Sequence, residues 1–232
     1  MRPLYWQRRI GRHLLLAAVS GGLTAALSYA FPFESQLVTL STASAYAGLA
    51  LLIVSLSLGP LNILKNRPNP VSTDLRRDVG IWAGLLGLLH TILGLNVHMG
   101  GKFWLYFFFP PDQPHFLSLR YDPFGFANFA GLGATLVLLL LLALSNNISL
   151  RRLGSKNWKA LQRWNYAGFA LVAAHGVVYQ LIEKRDLPFV GLLGGMILLA
   201  GAMQLAGYRK RKTQGASEVS PERGSRRVAL DK

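Results

Sequence analysis

Six apolar segments, each close to the length of a membrane-spanning helix, constrain this chain more than any other feature of its sequence. A helix needs about 20 apolar residues to cross the hydrocarbon core of a bilayer. The 232 residues are 51% hydrophobic and only 15% charged, which is too apolar for an ordinary soluble domain. The sequence therefore predicts an all-α, polytopic membrane helical bundle with six transmembrane helices, at residues 13–31, 42–61, 79–99, 124–145, 162–182 and 189–207.

The basic residues predict how this bundle is oriented. The formal net charge is +15, and the lysines and arginines cluster at Arg2–Arg12, Lys65–Arg77, Arg151–Arg163 and from Arg209 onward. With six spans these four segments lie on one side, which the positive-inside rule places in the cytoplasm, so both termini are expected inside (N-in/C-in). Topology and contact with anionic membrane lipid explain the excess charge, and no nucleic-acid partner is expected.

The expected domain division follows the same pattern. Residues 1–12 are predicted to be a cytoplasmic segment, 13–207 the six-helix domain and 208–232 a disordered, basic cytoplasmic tail. The first apolar run is longer than a typical signal-peptide core, and its removal would break the alternation of charged loops. The outer loop FWLYFFFPPDQPHF is predicted to anchor the protein in the headgroup region rather than to form a substrate cleft.

Two histidines, His90 and His175, lie near the middle of the third and fifth apolar segments. An ionisable side chain is costly in the membrane and indicates a functional site. Haem iron is the ligand that most often joins histidines across a helix bundle. The chain has no cysteine, which excludes thiolate-ligated haem and iron–sulfur clusters, so a metal would have to be held by nitrogen or oxygen.

Depth along the helices favours the pairing of His90 with His175. At 1.5 Å per residue the two lie about 16 Å and about 20 Å from the inner ends of their spans. His98 would be about 28 Å deep and about 80° around the helix from His90, so it is the lower-ranked candidate for a metal ligand. Gly87 and Gly94 share the face of His90 and would give a wide, planar cofactor room, so they are predicted cofactor-binding residues.

The residues alone leave three functions open. The first is haem-mediated electron transfer, the second is a small transporter or proton relay that uses the intramembrane histidines, and the third is a structural membrane partner without a cofactor. Carboxylates normally accompany a proton path, and the predicted spans contain none. Of the remaining histidines, His13 is expected to extend to the membrane interface and His115 to be solvated in the outer loop.

Two stretches of sequence carry a resemblance to a known family. One is RRDVGIWAGLLGLLH, residues 76–90, with a paired arginine, a Gly-apolar-Trp step and a histidine. The other is RRLGSKNWKALQRWNYAGFALVAAH, residues 151–175, with an R-x-L-G-x-x-W-x-x-L pattern and a histidine. Together with Gly59-Pro60, expected to end the second helix, they resemble the ferric reductase-like transmembrane domain family over about residues 40–205. Within it they resemble the haem-binding membrane subunits of periplasmic methionine sulfoxide reductase systems.

The resemblance implies one b-type haem with His90 and His175 as axial ligands. Members of the family commonly carry another histidine near the inner end of helix five, where this chain has Gln162, so a second, inner haem is not expected. Nothing in the sequence supports a bound FMN or FAD. An iron with two axial imidazoles is suited to one-electron transfer, so the chain is expected to be an electron-transfer subunit that needs partner proteins for catalysis.

Partners follow from the same resemblance. The donor would be a separate cytoplasmic flavin reductase or a membrane quinol, and the acceptor an extracytoplasmic reductase or a ferric chelate. The expected location is the bacterial inner membrane. A set of inner basic residues could guide an acidic donor or an anionic flavin, or could be ordinary positive-inside charge: Arg76, Arg77, Arg151, Lys156, Lys159 and Arg163.

Overall fold

The computed structural model describes residues 3–67 and 74–219, and these residues are predominantly helical. The α-helices in these ranges are α1 (Pro3–Ala30), α2 (Gln36–Leu64), α3 (Asp74–Gly94), α4 (Pro123–Leu144), α5 (Asn147–Gln162), α6 (Trp164–Ile182) and α7 (Leu187–Val219). A 3₁₀ turn, Phe103–Tyr106, lies between α3 and α4. No strand occurs in these ranges, which contain one isolated antiparallel bridge between Phe108 and Leu119. The all-α prediction is confirmed for the described part of the chain.

Six of these helices, α1, α2, α3, α4, α6 and α7, overlap the six predicted spans, although α3 ends at Gly94 and not at residue 99 as predicted for the third span. Among the described helices, α1, α2, α4 and α7 are long and apolar enough to cross a membrane. The two that carry the predicted histidines, α3 and α6, are less apolar because polar groups interrupt their sequences. Charged residues occupy the first turns of α3, and α6 includes Asn165, His175 and Gln180.

Helix α5 was not predicted, because the sequence analysis expected a basic loop between the fourth and fifth spans. Its N-cap is Asn146, whose side chain accepts a hydrogen bond from the Ser149 N–H at 2.8 Å. Gly154 interrupts the helix with a φ of 71°. The buried Trp158 donates from Nε1 to the Leu144 carbonyl at the end of α4, 3.0 Å away. A short helix with one apolar side contains no long apolar run, so a search for spanning segments overlooks it.

Helix α2 is the centre of the bundle. It packs most extensively against α3 and also against α7 and α1, while α4 pairs mainly with α6. Small residues allow the close approach of α2 to α3: Ser44 and Ala47 are completely buried, and a Cβ at Gly48 would lie 3.2 Å from Leu86 Cβ. The pairs α2/α3 and α4/α6 leave a space between them, and the site described below occupies it.

The end predicted for the second helix is wrong. Helix α2 continues through Pro60 to Leu64 instead of ending at Gly59-Pro60. Its proline-containing turn packs against α7, where a Cβ at Gly207 would lie 2.9 Å from Pro60 Cβ. Contact with a neighbouring helix therefore stabilises helical structure beyond the proline.

The first and the last helix of the chain are both longer than predicted. Helix α1 begins at Pro3, within the segment expected to precede the domain, and α7 continues to Val219, within the predicted disordered tail. Lys210 Nζ donates to the Leu64 carbonyl at 2.7 Å, which holds α7 against the end of α2. Residues 220–232 of the predicted tail lie outside the described residues.

Candidate functional site

His90 on α3 and His175 on α6 face each other inside the bundle. Their ring centres are 5.9 Å apart and the ring planes are inclined by 72°. Depth along the helices and the family resemblance both predicted this pair, and the structure brings the two rings together. Helix α2 supports His90 from behind, and α4 supports His175.

Main-chain carbonyls hold both imidazoles through the same ring atom. His90 Nδ1 is 2.9 Å from the Ser41 carbonyl oxygen, and His175 Nδ1 is 2.8 Å from the Ala127 carbonyl oxygen. A carbonyl oxygen can only accept, so in each ring Nδ1 carries the proton and donates it. The Nε2 atom of each ring is then unprotonated and has a lone pair that can bind a metal.

The separation of the rings fits an iron bound between them. Metal–imidazole bonds of about 2 Å on each side, with about 1 Å from each nitrogen to its ring centre, give about 6 Å between ring centres. The observed 5.9 Å agrees with this value. A direct hydrogen bond between the rings would bring their centres closer together.

A cavity of about 540 Å³ surrounds the two histidines. Its volume lies within the range of cofactor sites in proteins. Residues of α2, α3, α4, α6 and α7 line it, and most of them are apolar. Arg185, between α6 and α7, is the one permanently charged side chain that the described residues contribute to the lining. An apolar, planar cofactor with a small anionic part suits this lining.

The two glycines predicted beside His90 both line the cavity, but they have different contacts. A Cβ at Gly94 would lie 3.8 Å from His90 Cε1, so this glycine leaves space beside the imidazole. A Cβ at Gly87 would lie 2.8 Å from Leu138 Cδ1, so this glycine allows α3 to approach α4. Of these two glycines, only Gly94 leaves space beside His90 for a planar cofactor.

Gly131 of α4 has the closest relation to His175, and the sequence analysis did not identify it. A Cβ at this position would lie 2.7 Å from His175 Nδ1 and 3.0 Å from Cε1. The available signal was a glycine in an otherwise leucine-rich span. Its significance depends on α4 packing against α6, which the spacing of residues within α4 does not show.

The outer loop does more than anchor the protein at the interface. Tyr106 is 2% exposed, and its hydroxyl donates to the Gly94 carbonyl at 2.8 Å and accepts from the His98 N–H at 3.0 Å. Trp104 and Phe107 line the cavity. The loop therefore lines one end of the cavity, a role that the prediction of an interfacial anchor did not include.

His98 belongs to the outer end of the cavity and does not face either predicted ligand. It lies beyond the end of α3, with Nε2 3.5 Å from Glu183 Oε1 and its ring stacked on Tyr179 at 6.1 Å. Among the described residues, no group of three or more histidine, cysteine, aspartate or glutamate side chains could hold a metal ion. The geometry therefore favours the His90–His175 pair over any pair that includes His98.

Arg77, one of the residues considered for donor docking, has a structural role instead. It is 8% exposed and its guanidinium donates to Asp74 Oδ1 at 2.8 Å and to Asn147 Oδ1 at 2.7 Å. It thereby connects the start of α3 to the start of α5. Arg151, Lys156, Lys159 and Arg163 are exposed.

Asp78 is completely buried in the second turn of α3, just before the predicted start of the span. Its carboxylate is 3.1 Å from Arg9, 3.4 Å from Arg12 and 3.4 Å from His13 Nε2. Trp82 Nε1 donates to His13 Nδ1 at 3.2 Å. His13, whose side chain is partly exposed, therefore contacts α3, and the cluster connects α1 to α3.

Comparison with known proteins identifies the family of this chain. Residues 43–181 match the family described as "Ferric reductase like transmembrane component". A curated relative, the "Protein-methionine-sulfoxide reductase heme-binding subunit MsrQ" of Rhodospirillum rubrum, is 31% identical over 177 residues, covering 73% of this chain and 74% of the relative. No solved structure matches the chain. The chain therefore belongs to the ferric reductase-like transmembrane family.

Proposed function

We propose that this protein is a membrane electron-transfer subunit that holds one b-type haem between His90 and His175. The observation that carries the proposal is the facing pair of imidazoles, each with Nδ1 bonded to a main-chain carbonyl and a lone pair left on Nε2. The name of the Rhodospirillum rubrum relative, a haem-binding subunit, supports the same function.

Different residues around the cavity would bind different parts of this cofactor. His90 and His175 would ligate through Nε2, and the Ser41 and Ala127 carbonyls fix the tautomer and direction of each ring. Arg185 would pair with the anionic propionate groups, because it supplies the permanent positive charge in the lining. Bound between two imidazoles, a haem supplies one-electron transfer, since no coordination position remains for a substrate.

A single haem is part of the proposal. Towards the basic ends of the helices, called here the inner end, a second cavity is lined by Gln162, and none of its lining residues in the described part of the chain is a histidine. The described lining residues therefore offer no imidazole that could bind a second iron. This supports the expectation from Gln162, at the position where relatives commonly have a histidine.

We also propose that all six long helices cross the membrane, with both termini in the cytoplasm. The basic residues of α5 and of the end of α7 lie at the inner end. The loop between α3 and α4, which contains Tyr106, lies at the opposite end of the bundle. The bacterial inner membrane is the proposed location, which the bacterial origin of the relative supports.

Electrons would enter from a separate cytoplasmic flavin reductase or a membrane quinol and leave on the outer side. The name of the relative refers to a protein-methionine-sulfoxide reductase, which favours an extracytoplasmic reductase as acceptor over a ferric chelate. Copurification of a soluble reductase with the tagged membrane protein would test this choice. A preparation that reduces ferric chelates without any bound partner would favour the chelate.

The geometry does not favour a proton relay through the histidines. The Nδ1 atoms of His90 and His175 end on main-chain carbonyls, which accept a hydrogen bond but do not pass a proton onward. Asp78, the buried carboxylate of α3, is compensated by Arg9 and Arg12. It lies about 18 Å along the helix from His90.

A visible absorption spectrum tests the haem proposal. Protein purified from cells with ample haem supply is expected to give sharp reduced-minus-oxidised bands, which His90→Ala and His175→Ala each abolish. His115→Ala, in the outer loop, is the matched control and should leave the bands unchanged. A colourless wild-type preparation, or full haem content in both ligand variants, would overturn the proposal.

A further inference from the structure

The inner cavity differs in character from the cavity around the histidines. It has a volume of about 370 Å³ and lies between the inner ends of the helices, bounded by residues of α2, α3, α4, α5, α6 and α7. Among the residues that the structure describes, no aspartate or glutamate lines it, and five basic side chains do: Arg76, Arg77, Lys159, Arg163 and Arg211. The charge of the lining therefore has one sign.

Much of this charge is not balanced by neighbouring carboxylates. Arg77 pairs with Asp74. Lys159, Arg163 and Arg211 are exposed, and they form no salt bridge with any side chain that the structure describes. Positive charge collected from α5, α7 and the junction of α5 with α6 at one concave site attracts an anion.

The wall of the cavity contains donors without partners. Gln162 Nε2 and Arg77 Nε are buried, and neither has a hydrogen-bond partner among the described residues. Both residues line the cavity. A buried donor without an acceptor costs stability, so an acceptor oxygen in this cavity would be favourable. The positive rim and the unused donors independently indicate an anion rich in oxygen atoms.

We propose that the inner cavity binds a phosphate group, carried by an anionic membrane phospholipid or by a soluble phosphate compound. Guanidinium groups match the oxygens of phosphate, and basic pockets between membrane helices on the cytoplasmic side bind lipid headgroups. Tyr166 and Tyr208, both exposed and both in the lining, are residues typical of the headgroup region. The cavity volume is within the range of small-molecule sites. The proposal does not depend on haem binding.

Native mass spectrometry of the full chain in detergent, with phosphatidylglycerol or phosphatidylcholine added, tests the site. The variant K159Q/R163Q/R211Q removes three rim charges. The matched control R152Q/K156Q/R209Q removes three exposed inner charges that do not line the cavity. Gln162→Leu removes the buried donor without changing the charge. The helical circular-dichroism signal and the elution volume in size-exclusion chromatography verify that each variant is folded.

The wild type and the control should each retain one phosphatidylglycerol in preference to phosphatidylcholine, while the rim variant should bind at least about tenfold more weakly. Gln162→Leu should also weaken retention. Competition by inorganic phosphate, with no preference between the lipids, would support the same site with a soluble ligand. Equal losses in the rim variant and the control, or no binding of either lipid or phosphate by the wild type, would overturn the proposal.

Discussion

Gly131 of α4 lies directly against the imidazole of His175, so that a Cβ at this glycine would be 2.7 Å from His175 Nδ1. The hydrogen bond from that nitrogen to the Ala127 carbonyl, 2.8 Å long, starts from the same side of the ring. Helix α4 therefore orients His175 by two means, a carbonyl that accepts its proton and a glycine that leaves room for the ring.

The contact between Gly131 and His175 should be sensitive to substitution. Gly131→Ala should displace the imidazole and reduce haem affinity about tenfold or more, since overpacking costs about 1–3 kcal/mol. The haem-to-protein ratio after purification measures the effect. Gly133→Ala is the control, because its Cβ would meet a terminal methyl group of Leu171 at 3.3 Å, which can move. Equal haem ratios in the two variants would contradict the proposed role of Gly131.

Arg185 should influence the redox potential of the haem. A positive charge near the iron stabilises the reduced form, so Arg185→Gln should lower the midpoint potential by on the order of 50 mV. Redox titration of the purified protein measures this shift. Lys184→Gln removes the same charge from the exposed neighbouring residue outside the cavity lining, and should have a smaller effect. A shift of equal size in both variants would argue against propionate pairing by Arg185.

Asp78 should contribute to stability rather than to electron transfer. Asp78→Asn leaves Arg9 and Arg12 without their buried partner and should lower the free energy of unfolding by about 2–3 kcal/mol, somewhat less than for fully buried pairs because the arginines are partly exposed. Thermal unfolding in detergent measures this loss. The haem spectrum should stay unchanged in protein that remains folded. Asp112→Asn, in the exposed outer loop, is the control, and an Asp78→Asn protein as stable as this control would contradict the prediction.

Ionisation of Asp122 should make the stability of the folded protein depend on pH. The hydrogen bond from Arg120 lowers the pKa of this carboxyl group, and the hydrogen bond from the Gly125 N–H acts in the same direction, while burial opposes both. A lowered folded-state pKa means that the stabilisation is present above the ordinary pKa of an aspartate. It is lost as the pH falls from that value through the folded-state pKa.

Asp122→Ala removes the N-cap of α4 and should cost about 1 kcal/mol near neutral pH. The difference in unfolding temperature between the wild type and this variant should shrink as the pH is lowered below about 4. A difference that stays constant over the acidic range would show that ionisation of Asp122 does not contribute.

The absence of cysteine allows a direct test of topology. Single cysteines introduced by Asp112→Cys in the outer loop and Ser155→Cys in α5 should react oppositely with a membrane-impermeant maleimide. In spheroplasts, which lack the outer membrane but keep the inner membrane intact, the cysteine at position 112 should be labelled. The cysteine at position 155 should be protected until the inner membrane is opened. Labelling of both, or the reverse pattern, would contradict the N-in/C-in arrangement.

Several features of the site could be predicted because they depend on local sequence. Apolar length indicated six helices, and the cost of a histidine in apolar surroundings selected His90 and His175. Residue counting placed the two at similar depths because an α-helix has a constant rise. Gly94 was found by the same periodicity, since it lies one turn from His90 on the same helix.

Other features depend on which helices are neighbours. The sequence placed Arg77 with the exposed basic residues, whereas its partners on α3 and α5 bury it. Helix α5 lies where a basic loop was expected, and its buried Trp158 donates a hydrogen bond to Leu144 at the end of α4, a contact that the sequence of α5 does not reveal.

The helical bundle, the pair of histidines and the family could be inferred from the sequence, because hydropathy, helical periodicity and motif spacing are properties of the chain as written. Tertiary packing was needed to show that Gly131 lies against His175, that Ser41 and Ala127 supply the carbonyls, and that the inner basic residues line a cavity. These relations join residues that lie far apart along the chain, and close packing of the helices is what brings them together.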